Sequence, residues 1–174
     1  MYGLRRGEAL SLCWQDINFN AGTASIRASV VEAAPLGVVM KNVKTRQSAD
    51  TISLSDSVLT ELRELRDRRR ATDMYREGDP NVEGVTPWAD LDPREYVCLN
   101  ERDQVFNPNG FYQRLRHFQE INNLKVSGIH DLRRSYGTLL IESGVDVAVV
   151  SKALRHSSIK ITSDIYPEVP KNYI

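Results

Sequence analysis

His130 and Arg133 stand three residues apart in the stretch HDLRR. That spacing puts two side chains on one face of a helix, here a fixed cation beside a titratable imidazole. An arginine fork matches two oxygens of a phosphate and keeps its charge at any physiological pH. Arg5 and Glu8 repeat the spacing in GLRRGEAL, where the carboxylate can cap a helix start and brace the arginine. Lys44 lies in the basic stretch MKNVKTRQSA, and its ammonium could reach into a groove and supply a proton. The stretch LRHSSIKITSDIYPEV opens on His156 and closes near Tyr166. Alone, each has an ordinary explanation: a solvated pair, a capping acid, a surface lysine, a packing tyrosine. A phenol of pKa about 10 becomes a nucleophile only beside a base or in a cationic field.

The elements that must position these groups follow from pattern. RRGEALSLCWQDI, with Leu10, Cys13 and Trp14, suits a short helix with a buried face. TASIRASVVEA alternates and is β-branched, which predicts one strand. Two more strands are expected at about 38–40 and 51–54, around the basic turn. DSVLTELRELRDRRRATDMY predicts a long amphipathic helix with Val58, Leu59, Leu62 and Leu65 on one face. The acidic, Gly- and Pro-rich stretch after it reads as an extended loop, and YVCLN as a possible short strand. From NPNGFYQRLRHFQEINN onward the pattern is helical. One helix should stop at Gly144, the next should be capped by Asp146, and the last should end at Pro167. The class is α+β: mostly helical, with a small antiparallel sheet near the front.

Composition sets bounds on function. At 174 residues the chain is expected to fold as a single domain, residues 1–174. There is no apolar run long enough for a membrane helix and no apolar signal core, so a cytoplasmic protein is expected. Cys13 and Cys98 are far apart and form no metal-ligand pair, and the histidines lack metal-site spacing, which speaks against a metal hydrolase. Lys and Arg total 23, as do Asp and Glu, so bulk charge gives no attraction to a polyanion. The charges do segregate: Lys41, Lys44 and Arg46 form a basic segment with no acid in it.

Taken together and in order, GLRRGEALSLCWQDI, KTRQSADTISL, HDLRRSYGTLLIESGVDVAVVSKALRHSS and ITSDIY resemble the tyrosine recombinase, or phage integrase, family. The resemblance runs from Gly3 to about Val169. It implies a catalytic domain of the DNA breaking–rejoining type, acting on double-stranded DNA through a 3′-phosphotyrosyl ester. Arg5 and Arg133 would clamp the scissile phosphate, with Glu8 supporting them. His130 and His156 would hydrogen-bond it, His130 helping to take the tyrosine proton. Lys44 would protonate the leaving 5′ oxygen, and Tyr166 would attack phosphorus. Lys41, Arg46, Arg134 and Arg155 would contact DNA. No metal or other cofactor is implied, since pre-placed cations stabilise the charge and one phosphodiester replaces another. The partners implied are DNA, at the nucleoid, and further recombinase subunits in a tetrameric synapse.

Two departures from the family pattern stand out. Arg155 occupies the place before the second histidine where glycine is usual; it is expected either to shift His156 or to add a phosphate contact. The helices that precede GLRRGE and a separate N-terminal DNA-binding domain are missing from this sequence, and little follows Tyr166. The chain is therefore expected to behave as a fragment that binds DNA poorly and does not recombine it. The competing readings are a type IB topoisomerase-like enzyme and a non-catalytic DNA-binding remnant.

Overall fold

In the computed structural model, residues 2–42, 50–76, 85–87, 91–125 and 128–165 are described. Lys44, Arg46 and Tyr166 lie outside them. The chain divides into two compact units, Arg6–Leu115 and a second formed by Met1–Arg5 with Arg116–Ile174.

The Arg6–Leu115 unit begins with helix α1 (Arg6–Leu10) and a 3-10 turn at Trp14–Asp16. Among the described residues six short strands follow: β1 (Ile17–Asn18), β2 (Thr23–Ile26), β3 (Ala28–Ala33), β4 (Gly37–Asn42), β5 (Asp50–Ser53) and β6 (Val85–Pro87). They form two antiparallel three-stranded sheets rather than one, in the orders β1-β2-β5 and β3-β4-β6. The segment TASIRASVVEA is accordingly two strands. Arg27 marks the break, its Nε pairing with the buried Asp16 carboxylate. On one side Ala24 pairs with Ile52; on the other Val30 pairs with Met40. The strands on either side of the basic turn thus pair with other partners, not with each other. β6 falls inside the stretch that composition marks as loop. YVCLN forms no strand and contributes only isolated bridges, Cys13 to Tyr96 and Leu99 to Val105.

The apolar faces meet in two clusters. Leu10, Cys13, Val30, Met40, Tyr96 and Val105 form one, and Trp14, Ile17, Ala24 and Val97 the other. Burial pushes both thiols, Cys13 and Cys98, above their ordinary range, which disfavours the thiolate form. Helix α2 (Asp56–Ala71) lays Leu62 and Leu65 on the second cluster, as its periodicity predicts. Its arginines stack on rings: Arg66 lies 4.5 Å from the Phe19 centroid and Arg69 5.6 Å from that of Trp14.

The remaining helices are α3 (Pro108–Ile121), within which the division between units falls, α4 (Ile129–Glu142), α5 (Val147–Ala153) and α6 (Ile159–Ile165). Ile141, Val150 and Leu154 make the core of the second unit, with Tyr136, Leu140 and Val145 around them. Asp146 caps α5, its side chain accepting from Ala148 N–H at 2.8 Å. Helices α2 to α5 all close with the same turn: a left-handed residue one past the cap, then a hydrogen bond back from the residue after it. The left-handed positions are Asp73, Asn123, Gly144 and Arg155.

Candidate active site

Helix α4 carries Arg133 on its buried face, in line with Gly137 and Ile141 at intervals of one turn. A buried guanidinium must be hydrogen-bonded or it destabilises the fold. Arg133 meets this requirement with backbone carbonyls: Nη1 donates to Gly3 O and Nη2 to Leu154 O. The first acceptor comes from the chain start, and the second from the C-cap of α5.

Gly3 can play its part only as glycine. Its φ is +60°, and a Cβ there would sit 2.5 Å from Tyr136 Cδ1 and 2.9 Å from Leu154 Cδ2. The chain therefore passes close against α4 and the end of α5, which brings the Gly3 carbonyl to Arg133 and carries Arg5 in behind it.

Arg5 is exposed, and its Nη2 donates to Arg155 O at 2.8 Å. Successive carbonyls, of Leu154 and Arg155, thus hold the two arginines. The turn that presents them closes α5: Arg155 N–H donates to Lys152 O at 2.8 Å and His156 N–H to Ser151 O at 3.0 Å. Arg155 adopts φ +53°. That is the left-handed conformation for which glycine is suited, so the departure noted in the sequence leaves the turn intact. An arginine held there costs about 1 kcal/mol or more. Its own side chain is half-buried and folds back, Nη1 lying 3.3 Å from Ala153 O.

His156 follows directly. Its Nδ1 lies 2.7 Å from the hydroxyl of Thr162 on α6, a residue with 0% of its surface exposed. Burial, then the positive charges of Arg133 and Arg5, hold the imidazole below its usual range. At neutral pH the ring is uncharged, and it sits within the field of both guanidinium groups.

The structure therefore gathers Arg5, Arg133 and His156. His130 lies in the first turn of α4 and is exposed. Asp131 beside it caps the helix, accepting from Gly128 N–H at 2.8 Å. Arg134 is exposed and lies 3.9 Å from Asp131. Glu8 is buried on α1 and falls in the Arg6–Leu115 unit, as does Lys41, which is exposed on β4. Sequence reasoning missed Gly3 as the acceptor for Arg133, and Thr162 as the partner of His156. The first had a signal, a glycine directly ahead of LRRG. The second had none beyond a threonine nine residues before the end of the HSSIKITSDIYPEVPK run, where pattern alone says only helix.

What this arrangement can do is hold an anion between pre-placed donors. Two guanidinium groups are oriented by backbone carbonyls, which accept their hydrogen bonds without cancelling their charge. No helix among the described residues is long and apolar enough to cross a membrane.

Comparison with known proteins identifies the family of the chain. The family model described as the phage integrase family matches residues 1–172. A curated relative, the tyrosine recombinase XerC-like protein of Caldanaerobacter subterraneus subsp. tengcongensis, is 26% identical over 96% of this chain and 43% of its own length. The tyrosine recombinase XerA of Pyrococcus furiosus is 26% identical over 99% of this chain and 48% of its own length. The chain thus spans about half the length of the curated relatives it matches. Among solved structures, the Tn1549 transposon integrase in complex with circular intermediate DNA superposes with a TM-score of 0.69 at 16% identity, covering 98% of this chain and 53% of that one. The XerA recombinase crystal structure gives 0.66 at 17% identity, covering 98% and 49%. These solved structures share the α+β fold, and the match along the chain shows more: it belongs to the phage integrase family.

Proposed function

We propose that this chain is the catalytic part of a site-specific DNA recombinase, which cuts and rejoins one strand at a time through a phosphotyrosyl ester. The observation that carries the reading is the turn after α5. Its Leu154 and Arg155 carbonyls orient Arg133 and Arg5, and its next residue is His156. Cations fixed in this way stabilise negative charge on phosphate oxygens without reorganising as it develops.

In this reading Tyr166 attacks phosphorus and the 3′ side of the cut strand becomes attached to it. Arg5 and Arg133 hold the non-bridging oxygens, with Glu8 as their support. His156 donates a hydrogen bond to the phosphate, and His130 helps to take the phenol proton. Lys44 gives a proton to the 5′ oxygen that leaves. Lys41, Arg46, Arg134 and Arg155 add backbone contacts, which position a duplex without reading its sequence. The whole reaction engages double-stranded DNA and further subunits of the recombinase, in the cytoplasm at the nucleoid.

The test is covalent trapping on a pool of nicked suicide duplexes, followed by peptide mass mapping. A DNA adduct on Tyr166 that disappears in Tyr166→Phe is the expected result. An adduct on Tyr112, Tyr136 or Tyr173 would overturn the assignment of the nucleophile. Duplex binding with no adduct anywhere would leave a DNA-binding remnant.

A further inference from the structure

Thr162 is a hydroxyl with no access to water, on a seven-residue helix that otherwise faces solvent. A buried hydroxyl brings one hydrogen that must be donated and lone pairs that need not all be used. Among the described residues, the acceptor within reach of that hydrogen is His156 Nδ1, at 2.7 Å. If Nδ1 carried the ring proton, it would donate to Thr162, and the threonine hydrogen would be stranded in the interior. That is the costlier of the two arrangements, because an unmade buried donor loses its whole hydration. If the threonine donates, Nδ1 is the acceptor and the proton of the neutral ring sits on Nε2.

We propose that Thr162 is a positioning residue: its hydroxyl donates to His156 Nδ1 and holds the imidazole as the Nε2–H tautomer, so that the ring offers a donor to an anionic oxygen. The neutral state of the ring follows from its surroundings. Burial and the charges of Arg133 and Arg5 act against a second ring proton. An imidazole of the opposite tautomer would turn a lone pair, not a hydrogen, toward any oxygen anion drawn in by those two cations. Without the threonine both tautomers become accessible, and only part of the population is competent to bind the anion.

The consequence for strand cleavage rests on the recombinase reading; the tautomer itself does not. The experiment therefore has two arms. In the first, two-bond proton–nitrogen correlation of the labelled imidazoles reads the tautomer directly at a pH where the ring is neutral. His156→Gln assigns the signal against His117 and His130. The wild type should show Nε2–H alone, and Thr162→Ser, which keeps the hydroxyl, should do the same. Thr162→Val, nearly the same shape without the hydroxyl, should show an exchanging mixture. An Nδ1–H signal in the wild type overturns the proposal whatever the variants do. So does a Thr162→Val ring with an unchanged tautomer ratio.

In the second arm, single-turnover cleavage of a nicked duplex should fall about two- to fivefold in Thr162→Val, in step with the share of rings left in the competent tautomer. Duplex binding should hold, and Thr162→Ser should restore the rate. Full cleavage by Thr162→Val would also overturn the proposal. Absence of any adduct in the wild type would instead count against the recombinase reading, and the tautomer would still be judged by the first arm. Should Thr162→Val fail to fold, the wild-type and Thr162→Ser spectra decide the question alone.

Discussion

The turns at Gly144 and Arg155 share one backbone design and differ in what they hold. In the first, Gly144 N–H donates to Ile141 O at 2.9 Å and Val145 N–H to Leu140 O at 3.0 Å. In the second, Arg155 and His156 make the corresponding bonds to Lys152 and Ser151. Both place a left-handed residue just past the helix cap, with φ of +80° and +53°. Among the described residues, no atom beyond its chain neighbours lies within 4 Å of where a Cβ on Gly144 would be. That turn ends a helix and does little else. At the second turn the carbonyls of Leu154 and Arg155 anchor two arginines, and the next residue is a histidine bonded to a buried threonine. The same local device is a stop signal in one place and a scaffold for charged groups in the other. What separates them is the tertiary setting: α4 and the chain start supply arginines to the second turn.

Breaking the scaffold should have the largest effect. Arg133→Lys keeps the charge but replaces the fork with a single ammonium, which cannot span Gly3 O and Leu154 O in the same way. Cleavage of a nicked duplex is expected to fall by about a hundredfold or more, the scale of losing one transition-state donor. Near-normal cleavage by this variant would mean that the carbonyl-anchored fork is not used. Gly3→Ala should come next, with a stability loss of about 2–4 kcal/mol from left-handed strain and overpacking against Tyr136 and Leu154, measured by chemical denaturation. Gly144→Ala should lose only about 1 kcal/mol, since strain without crowding is all it introduces. It should leave cleavage unchanged.

Smaller again, and opposite in sign, is Arg155→Gly. Relief of the left-handed arginine exceeds the added freedom of the unfolded chain, so stability should rise by about 0.5 kcal/mol. The Arg155 carbonyl remains in place to hold Arg5. A drop in stability would show that the Arg155 side chain contributes more than its strain costs. The smallest effect concerns pH. The folded imidazole of His156 is held below its free value of about 6.5, so between those two values the unfolded chain binds more protons. The stability contribution is whole above about 6.5 and is lost as pH falls through the folded value. Denaturation curves from pH 7.5 downward should show this slope, and His156→Gln should flatten it.

Much of the first turn is legible in the sequence, and the reasons are local. Gly144 as a stop and Asp146 as a cap are short-range chemistry, and both hold. The place of Arg155 could be flagged because glycine is expected there, although the outcome, a strained arginine in a preserved turn, could not. What failed to show was pairing at a distance. TASIRASVVEA has the alternation of one strand, yet its halves join different sheets because Asp16, eleven residues earlier, ties down Arg27 between them. β6 hides in a stretch rich in turn-formers because its pairing with β4 is made from outside. Thr162 was invisible for the same reason: its importance lies in the ring it meets, not in its own helix. Arg5, Arg133 and His156 were found through a pattern spread along the whole chain, while the carbonyls that fix them carry no mark in sequence.

Trp14, buried at 2% exposure with Arg69 and Tyr75 against its ring, has an optical consequence. The chain has two tryptophans, Trp14 and Trp88, and both belong to Arg6–Leu115. Indole emission therefore follows the loss of that unit, and the one holding Gly3, Arg133, Gly144 and Arg155 is silent at the same wavelengths. A melting curve recorded by fluorescence alone reports the substitutions that matter most only if the two units unfold together. Recorded beside far-ultraviolet circular dichroism, to which α4, α5 and α6 contribute, the two traces become a test of cooperativity. Coincident midpoints mean that the units unfold together, and separate midpoints assign each transition to its own part of the chain.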